Sequence, residues 1–362
     1  MDWLLMNRDT PLLYFCSSID LYGDTLVQEK AWLSPLRPLG YPGLWKFLTR
    51  RRASTHRKNM GRLLADCGCR TLEGFLRITH AASLNDTFWV KKADAPLCWA
   101  EVSLYANAFD PGIAAAALTG SPTPAVLSAP SPEFTTGGRC PKCWQRDRDG
   151  IHLYKAGSSA AGQEALSEAL AAQLAALLCR GFVDYRLDVC QGQPVSWCRL
   201  FTSEEVGFFP VAHAGPEMPT VSRLLEWFSR AGCEDDFRRL CILDALLLNT
   251  DRHPGNMGLL VRNATQEVLG MAPVFDFNRA LLSDLDDPLP AVPGDSVQHQ
   301  LPWFGRDFIA TGRGLMTDAI RSDLKNLEGF RFILPNSPFP VDRGRLETLS
   351  AVVNHQIQQL LA

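Results

Sequence analysis

Hydrophobic residues recur at helical spacing through the stretch SSAAGQEALSEALAAQLAALLCRGF. Its leucines fall on one stripe at about 100° per residue, which predicts a helix that is capped by Ser158 or Ser159 and stops near Gly181. Glu164 and Glu168 lie one turn apart, across from that stripe. Because polar residues opposite an apolar stripe usually face water, the simplest interpretation of both glutamates is a solvated helix face.

Two strands are predicted before this helix, one around Trp144 and one over residues 151–154. Asp149 and Gly150 form a turn signal between them, so the strands are expected to pair as a hairpin that ends on Lys155. A lysine at the end of a strand is therefore followed by a helix that carries two glutamates.

Short strands continue after this helix and then give way to helices. The same periodicity predicts strands over residues 185–189 and 195–202, and helices from residue 221, over 237–249 and over 343–361. MGLLV and VLGMAPVF are predicted to form a further hairpin, closed around RNATQE. The second half of the chain is therefore expected to be mainly helical.

The first part of the chain mixes both patterns, with strand-like PLLYFC and helix-like segments over residues 45–64 and 72–82. The stretch LTGSPTPAVLSAPSPEFTTGG is rich in Pro, Ser, Thr and Gly, which predicts a linker or a long loop. We therefore expect an α+β protein with an N-terminal accessory domain over 1–125, a small β-rich lobe with one helix over 126–200, and a larger helical lobe over 201–362.

Composition limits the class of protein. With 362 residues, of which 46% are hydrophobic and 21% charged, the chain can bury a large core and does not have the composition of a disordered protein. A formal net charge of -3 argues against a surface coated in positive potential. The start, MDWLLMNRDT, lacks the basic region of a signal peptide, and the Ala/Leu-rich helix is too short and too polar to span a bilayer. A cytoplasmic location without a membrane partner is the expectation.

One local stretch, LTRRRASTHRKNMGRLL, is strongly basic between Arg50 and Arg62. Such a cluster can bind nucleic acid by contacting phosphates and releasing counterions. No aromatic residues are interleaved to stack bases, however, and AST is typical of a helix cap. The favoured interpretation is a capped helix with a solvated basic face, so direct nucleic-acid binding is not expected.

The stretch LLNTDRHPGNMGLLV places charged and amide residues directly behind a strongly apolar helix. Asp251 and Asn256 are five residues apart, and Asp276 follows in APVFDF, where the predicted hairpin would return it towards Asn256. Taken singly, the three are a helix-end cap, a turn residue and a loop acid. Together they can supply a carboxylate for the proton of an attacking hydroxyl, and an amide oxygen and a second carboxylate for magnesium, which phosphoryl transfer needs.

The order of hairpin, lysine, helix with glutamate, further strands and helical half is the order of elements in a kinase. In that architecture Lys155 contacts the nucleotide phosphates and pairs with a glutamate of the next helix, for which Glu164 and Glu168 are both candidates. Gly137 and Gly138, just before the hairpin, can supply the turn over the phosphates, because glycine lets the backbone approach closely. Such a pair is also common in ordinary turns.

NTDRHPGN followed by PVFDF resembles the signature of the HipA-like serine/threonine kinases, bacterial kinases known from toxin–antitoxin systems. These kinases share their DRHxxN and Asp-Phe signatures with phosphoinositide lipid kinases. The resemblance covers roughly residues 130 to 362 and implies a bilobal protein-kinase-like fold, ATP and Mg²⁺ as cofactors, a protein substrate, and a small helix-turn-helix antitoxin as partner. The implied site residues are Asp251 as catalytic base, Arg252 and His253 as residues that orient and brace its loop, Asn256 and Asp276 as magnesium ligands, and Lys155 and Glu168 as the ATP lysine and its partner.

The chain departs from the family pattern at two places. The phosphate-loop sequence GAQEK of the first-described toxins is absent, so TTGG matches it by position only, and Asn278 and Arg279 follow VFDF where a glycine would complete an Asp-Phe-Gly motif. The resemblance also implies autophosphorylation in the loop that carries Ser131, Thr135 and Thr136. A lipid or small-molecule kinase, or a non-catalytic nucleotide-binding protein of the same fold, remain alternatives.

Overall fold

A computed structural model describes residues 1–124, 129–158, 162–289 and 299–362 of the chain. Within it the chain divides into two compact units. The first unit consists of Met1–Lys155, Arg199–Phe209 and Leu260–Leu269, and the second of Ala156–Cys198, Pro210–Leu259 and Gly270–Ala362. This division does not test the domain limits predicted at residues 125 and 200, which stay a prediction.

A four-stranded antiparallel sheet begins the first unit. Its strands are β1 (Asp2–Asn7), β2 (Thr10–Ile19), β3 (Thr25–Trp32) and β4 (Phe88–Lys92), in the order β3-β2-β1-β4. The strand expected at PLLYFC is part of β2. Alternate residues such as Trp3, Leu5, Leu13 and Phe15 are buried in one core, as expected when one face of a sheet is covered.

Short helices complete the N-terminal part of this unit. They are α1 (Leu44–Arg50), α2 (Met60–Asp66), α3 (Leu72–Thr79), α4 (Trp99–Val102) and α5 (Pro111–Thr119). The helix-like segment expected over residues 45–64 is divided into α1 and α2, because the chain leaves the helix at Arg51. That side chain is buried, forms a 2.7 Å ion pair with Asp86 and donates a 2.7 Å hydrogen bond to the carbonyl oxygen of Ala81.

The predicted hairpin with the lysine is present. Strands β5 (Lys142–Asp147) and β6 (Gly150–Ala156) pair antiparallel, with Lys142 opposite Lys155. A 3-10 helix over Pro132–Thr135 precedes them, and its residues are buried. Within the loop expected before the hairpin, residues Pro132–Thr135 are therefore folded and buried.

The second predicted hairpin is also present. Strands β9 (Val206–Pro210), β10 (Gly258–Arg262) and β11 (Val268–Met271) form a sheet in the order β11-β10-β9. The N–H of Arg262 donates to the carbonyl oxygen of Glu267 at 2.8 Å, which closes the turn around RNATQE.

The second unit is mainly helical, as the periodicity predicts. It contains α6 (Gln163–Leu178), β7 (Arg186–Cys190), α7 (Val211–Ala214), α8 (Val221–Arg230), α9 (Glu234–Leu247), α10 (Phe308–Leu315), α11 (Asp318–Asn326) and α12 (Arg343–Leu361), together with β8 (Gln193–Arg199) up to Cys198. Among the residues that the structure describes, no helix is long and apolar enough to cross a membrane.

The start of α6 differs from the prediction. Its N-cap is Gly162, at a left-handed φ of 75°, and not Ser158. Ser159 lies outside the described residues. Ser158 instead donates its backbone N–H to the Glu164 carboxylate at 2.8 Å and its hydroxyl at 2.5 Å, so it serves as a partner for a buried acid.

Candidate active site

The loop that follows α9 is closed by hydrogen bonds to the backbone of Asp251. Leu248 adopts a left-handed φ of 52° and ends the helix. The carbonyl oxygen of Asp251 then accepts the backbone N–H of His253 at 2.8 Å and the side-chain amide of Asn256 at 3.0 Å. The N–H of Asp251 donates to the Asn249 side chain at 3.2 Å. Among the described residues nothing hydrogen-bonds to the Asp251 carboxylate, which leaves its oxygens available for a proton.

Arg252 connects this loop to two other segments. Its buried guanidinium donates two hydrogen bonds to Asp244 of α9, at 2.9 and 3.1 Å. Its Nη1 donates to the carbonyl oxygens of Asn256, at 2.7 Å, and of Phe275, at 2.5 Å. A single guanidinium nitrogen therefore brings the backbone of Asn256 close to the segment that carries Asp276.

Asp276 itself has an unusual backbone. Its φ is 64°, a left-handed value that few residues other than glycine adopt, and its N–H donates to the Tyr185 hydroxyl at 3.1 Å. Burial, followed by the charge of the nearby Glu168, holds the pKa of the Tyr185 hydroxyl well above its ordinary value. Tyr185 is therefore a neutral hydrogen-bonding group beside both predicted acids.

The segment after Asp276 is held by α6. The hydroxyl of Ser167 lies 2.7 Å from the carbonyl oxygen of Phe277 and 2.8 Å from that of Ala280. Ser167 directly precedes Glu168, so the predicted helix acid and the predicted metal ligand are fixed to each other through a short bonded path. Asn278, which departs from the Asp-Phe-Gly pattern, is buried and accepts the Ser283 hydroxyl at 2.7 Å through its carbonyl oxygen.

Glu164 and Glu168 are both buried, so the interpretation of a solvated helix face is wrong. Buried carboxylates require hydrogen-bond partners, and each has a serine: Ser158 for Glu164, and Ser196, whose hydroxyl donates to Glu168. Their pairing with Lys155 stays a prediction.

Lys155 and the glycine pair belong to the β5–β6 hairpin region. Lys155 is buried, and it lies opposite Lys142, which is also buried. Gly137 and Gly138 are exposed, and Gly138 has a left-handed φ of 86°. A Cβ atom at Gly138 would lie only 2.3 Å from Lys142 Nζ, so that ammonium group packs directly against the glycine turn. The hairpin therefore presents two lysines and a glycine turn, a set that suits an anion.

His253 has a bracing contact. Its Nδ1 accepts the N–H of Gly255 at 3.0 Å, and a Cβ atom at Gly255 would lie 2.8 Å from the imidazole. Trp303 packs edge-on against the ring, with 5.9 Å between centroids. These contacts fix the ring, as expected of a residue that supports the loop.

The donor set fits magnesium. In the described parts of the chain, no cluster of three or more His, Cys, Asp or Glu residues could hold a metal ion by itself. Magnesium is commonly held by one or two protein oxygens together with phosphate oxygens and water. One carboxylate, Asp276, and one amide oxygen, Asn256, match that requirement.

Several residues of this region were not singled out from the sequence, namely Asp244, Asn249, Tyr185, Ser167, Ser196 and Lys142. Asp244 had a signal, because it is a lone acid in the apolar run LCILDALL, where an unpaired charge would be unfavourable. Tyr185, Ser167 and Ser196 have partners far away along the chain. Asn249 and Lys142 are ordinary polar residues in the sequence, and no local pattern marks any of these five.

The chain is similar to known proteins in its structure and not in its sequence. No family model matches the chain, and no curated protein matches its sequence. The chain is similar to HipA of Shewanella oneidensis MR-1, solved in a toxin–antitoxin complex with HipB and operator DNA, with 14% identity over 99% of this chain and 96% of HipA and a TM-score of 0.55. It is also similar to the proinflammatory kinase CtkA of Helicobacter pylori, with 15% identity over 62% of this chain and 90% of CtkA and a TM-score of 0.47. The chain has the α+β, kinase-like fold of HipA, and its predicted resemblance to the HipA-like kinases is confirmed at the level of the fold.

Proposed function

We propose that this protein is an ATP- and Mg²⁺-dependent kinase that transfers the γ-phosphoryl group to a serine or threonine of a protein acceptor. The observation that carries the proposal is the pair of hydrogen bonds from Arg252 to the carbonyl oxygens of Asn256 and Phe275. They bring together a loop with an accessible carboxylate and a segment with a second one, which is the arrangement that phosphoryl transfer requires.

In this proposal Asp251 accepts the proton of the attacking hydroxyl while that oxygen bonds to the γ-phosphorus and the bond from phosphorus to the bridging β–γ oxygen breaks. ADP then leaves with the electron pair of that bond. Asn256, through its amide oxygen, and Asp276 would hold magnesium, which neutralises charge on the phosphates when bound. The Asn256 amide nitrogen already donates to Asp251, so its oxygen is the atom that remains for a cation.

Lys155 is proposed to contact the ATP phosphates, with Glu168 as its partner and Glu164 as the alternative. Glu168 is preferred because the resemblance to the HipA-like kinases implies it; the Glu164 carboxylate receives two hydrogen bonds from Ser158, and the Glu168 carboxylate receives one from Ser196. Gly137 and Gly138 are proposed to cover the phosphates. The left-handed turn at Gly138 supports this role, since such turns orient backbone N–H groups towards anions.

A small helix-turn-helix protein is proposed as a partner, because the similar HipA structure contains HipB and operator DNA. Self-limiting phosphorylation of the loop before the hairpin is part of the same proposal. Co-purification with the products of neighbouring genes tests the partner directly, and recovery of the chain alone under conditions that retain weak complexes would argue against it.

Labelled ATP with magnesium tests the activity itself. The wild type and Asp251→Asn are each incubated with three kinds of acceptor: a mixture of proteins, peptides that contain serine and threonine, and phosphoinositide vesicles. Label on protein hydroxyls in the wild type alone is the expected result. Label on lipid alone would make the protein a lipid kinase, and magnesium-dependent ATP binding without any transfer would make it a non-catalytic nucleotide-binding protein.

A further inference from the structure

The basic stretch between Arg50 and Arg62 has no part in the function proposed above, and its most buried member is Arg57. Only 1% of Arg57 is exposed, so it cannot contact nucleic acid or any other external partner. Its Nη1 donates to the carbonyl oxygen of Thr136 at 3.0 Å, and its Nη2 donates to that of Glu133 at 2.9 Å. The arginine therefore binds the backbone that leads directly into the glycine turn.

The same segment is held from the other side by β5. The backbone N–H of Trp144 donates to the Glu133 carboxylate at 2.9 Å, and its indole N–H donates to the Thr136 hydroxyl at 2.8 Å. Thr136 also donates its hydroxyl to the carbonyl oxygen of Pro132 at 2.7 Å, which closes the turn. The segment is thus fixed by side chains on two elements, and the two glycines that follow it are exposed.

The charge beneath the turn is positive. Burial lowers the pKa of Arg57 to about 10, so the guanidinium stays charged at neutral pH. It is bonded to carbonyl oxygens rather than to a carboxylate, and the nearby Glu133 has its pKa raised by burial to about 7. Arg57 below the segment and Lys142 against Gly138 therefore place two cationic side chains at the turn.

We propose that Arg57 is a positioning residue for the nucleotide: it holds the carbonyls of Glu133 and Thr136 and thereby fixes the backbone from which Gly137 and Gly138 reach the ATP phosphates. The inference rests on the proposed kinase function, because it takes the glycine turn as the phosphate loop. It also gives the N-terminal basic stretch a role in nucleotide affinity.

Isothermal titration of Mg²⁺-ATP into the wild type, Arg57→Met and Arg57→Lys tests this role. Arg57→Met removes both charge-assisted hydrogen bonds, each worth about a factor of ten in ordering the segment, so the Kd for ATP should rise by about tenfold to a hundredfold. Lysine keeps the charge but lacks the rigid fork of two guanidinium nitrogens, so Arg57→Lys should fall between the two. The control is Arg62→Met, from the same stretch, whose side chain is 75% exposed and which should bind ATP like the wild type.

Two further measurements separate positioning from loss of fold. The first is hydrogen–deuterium exchange of the nucleotide-free protein. Exchange over residues 136–140 should be faster in Arg57→Lys than in the wild type, while the thermal midpoint changes little. In a labelled-ATP assay the loss should fall on KM, with kcat at saturating ATP changed less than about threefold. Unchanged ATP affinity and exchange in folded Arg57→Lys would overturn the inference. A different outcome separates the two proposals. If exchange is faster in Arg57→Lys but the wild type binds no ATP, Arg57 fixes the turn and the kinase proposal is overturned.

Discussion

The Tyr185 hydroxyl accepts the backbone N–H of Asp276 at 3.1 Å, at a residue whose φ of 64° is left-handed. A strained backbone persists only where its surroundings fix it, and this hydrogen bond is one contact that fixes Asp276. Tyr185→Phe keeps the buried ring and removes the acceptor. We expect the magnesium concentration for half-maximal nucleotide stabilisation to rise several-fold, because the predicted ligand is no longer oriented.

Thermal-shift titration of magnesium at fixed ATP measures this effect. The matched control is Tyr105→Phe, which removes a 2.8 Å hydrogen bond from a partly buried tyrosine to the carbonyl oxygen of Leu84. Both variants should lose about 1 kcal/mol of stability, but only Tyr185→Phe should change the response to magnesium. Equal magnesium responses in the two variants would make Tyr185 a purely structural residue.

Asp276→Asn should abolish the magnesium-dependent part of nucleotide stabilisation and leave the fold intact. An amide is a much weaker ligand for magnesium than a carboxylate and is nearly the same size. Asp284→Asn, at an exposed acid eight positions further along the chain, is the control. A magnesium response of the wild-type size in Asp276→Asn would remove this residue from the metal site.

Lys155→Met should lower turnover by two orders of magnitude or more, because a phosphate contact made by the ATP lysine is lost. We expect little loss of stability, for a reason that the structure supplies. Methionine fills the same space as the buried Lys155, and the proposed partner Glu168 keeps its hydrogen bond from Ser196.

The identity of the partner glutamate is tested in the same assay. Glu168→Gln should reduce turnover strongly, and Glu164→Gln should reduce it less, because the Glu164 carboxylate serves Ser158. The thermal midpoint of each variant is the control for folding. A loss confined to Glu164→Gln would reverse the assignment.

Local patterns predicted most of the elements that position the site. The terminal helix was expected over residues 343–361 and is found at Arg343–Leu361, and the hairpin ends on Lys155 as expected. Both follow from short-range periodicity and turn chemistry, which act between neighbours in sequence. The prediction that Asp251, Asn256 and Asp276 form one site rests on similar patterns, namely a five-residue spacing and the hairpin expected to return Asp276 towards Asn256, and it stays a prediction.

Burial of charged residues could not be predicted in the same way. Arg57 lies in a polar stretch and looks solvated, but its carbonyl partner at Thr136 is 79 residues away. Glu168 lies opposite a leucine stripe, but its partner Ser196 is 28 residues away. Whether a charge is buried depends on such distant partners, because a buried charge is tolerated only where the tertiary fold supplies hydrogen bonds.

The pH dependence of stability offers a test of the segment below the glycine turn. Burial raises the pKa of Glu133 from 4.5 to about 7. The charge of Asp110 also raises this pKa, whereas the hydrogen bond from the Trp144 N–H and the charge of Arg57 lower it. Between these pH values the folded protein holds a proton that the unfolded chain has lost. Stability should therefore fall as the pH rises from about 4.5 to 7, by roughly 3 kcal/mol in all, and this contribution should stay constant above pH 7.

Urea denaturation of the wild type and Glu133→Gln at several pH values isolates this contribution. The amide cannot ionise, so the difference in stability between the two proteins should shift in favour of Glu133→Gln as the pH rises to 7. The exposed Glu217→Gln is the control and should follow the wild type. A difference that does not change with pH would show that Glu133 is ionised throughout.

Autophosphorylation before the hairpin is the prediction that the structure changes most. Ser131 and Thr135 are buried, and the Thr136 hydroxyl is engaged by the Trp144 indole at 2.8 Å. A hydroxyl can reach Asp251 only after this segment has unpacked, so phosphorylation should be slow and limited by local opening. A phosphate there would add nearly two negative charges at the turn, which should repel ATP and keep the segment from repacking.

Trp144→Phe should therefore accelerate the modification, because it keeps an aromatic ring in β5 and removes the hydrogen bond that holds Thr136. Mass spectrometry of the wild type and Trp144→Phe after incubation with ATP and magnesium measures phosphate in residues 131–136, with Asp251→Asn as the inactive control. We expect several-fold faster incorporation in Trp144→Phe and none in Asp251→Asn. An absence of phosphate from this segment in both active proteins, while another acceptor is phosphorylated, would rule out the self-limiting switch and leave the kinase itself in place. Incorporation at equal rates would instead mean that the Trp144 contact does not limit opening of the segment.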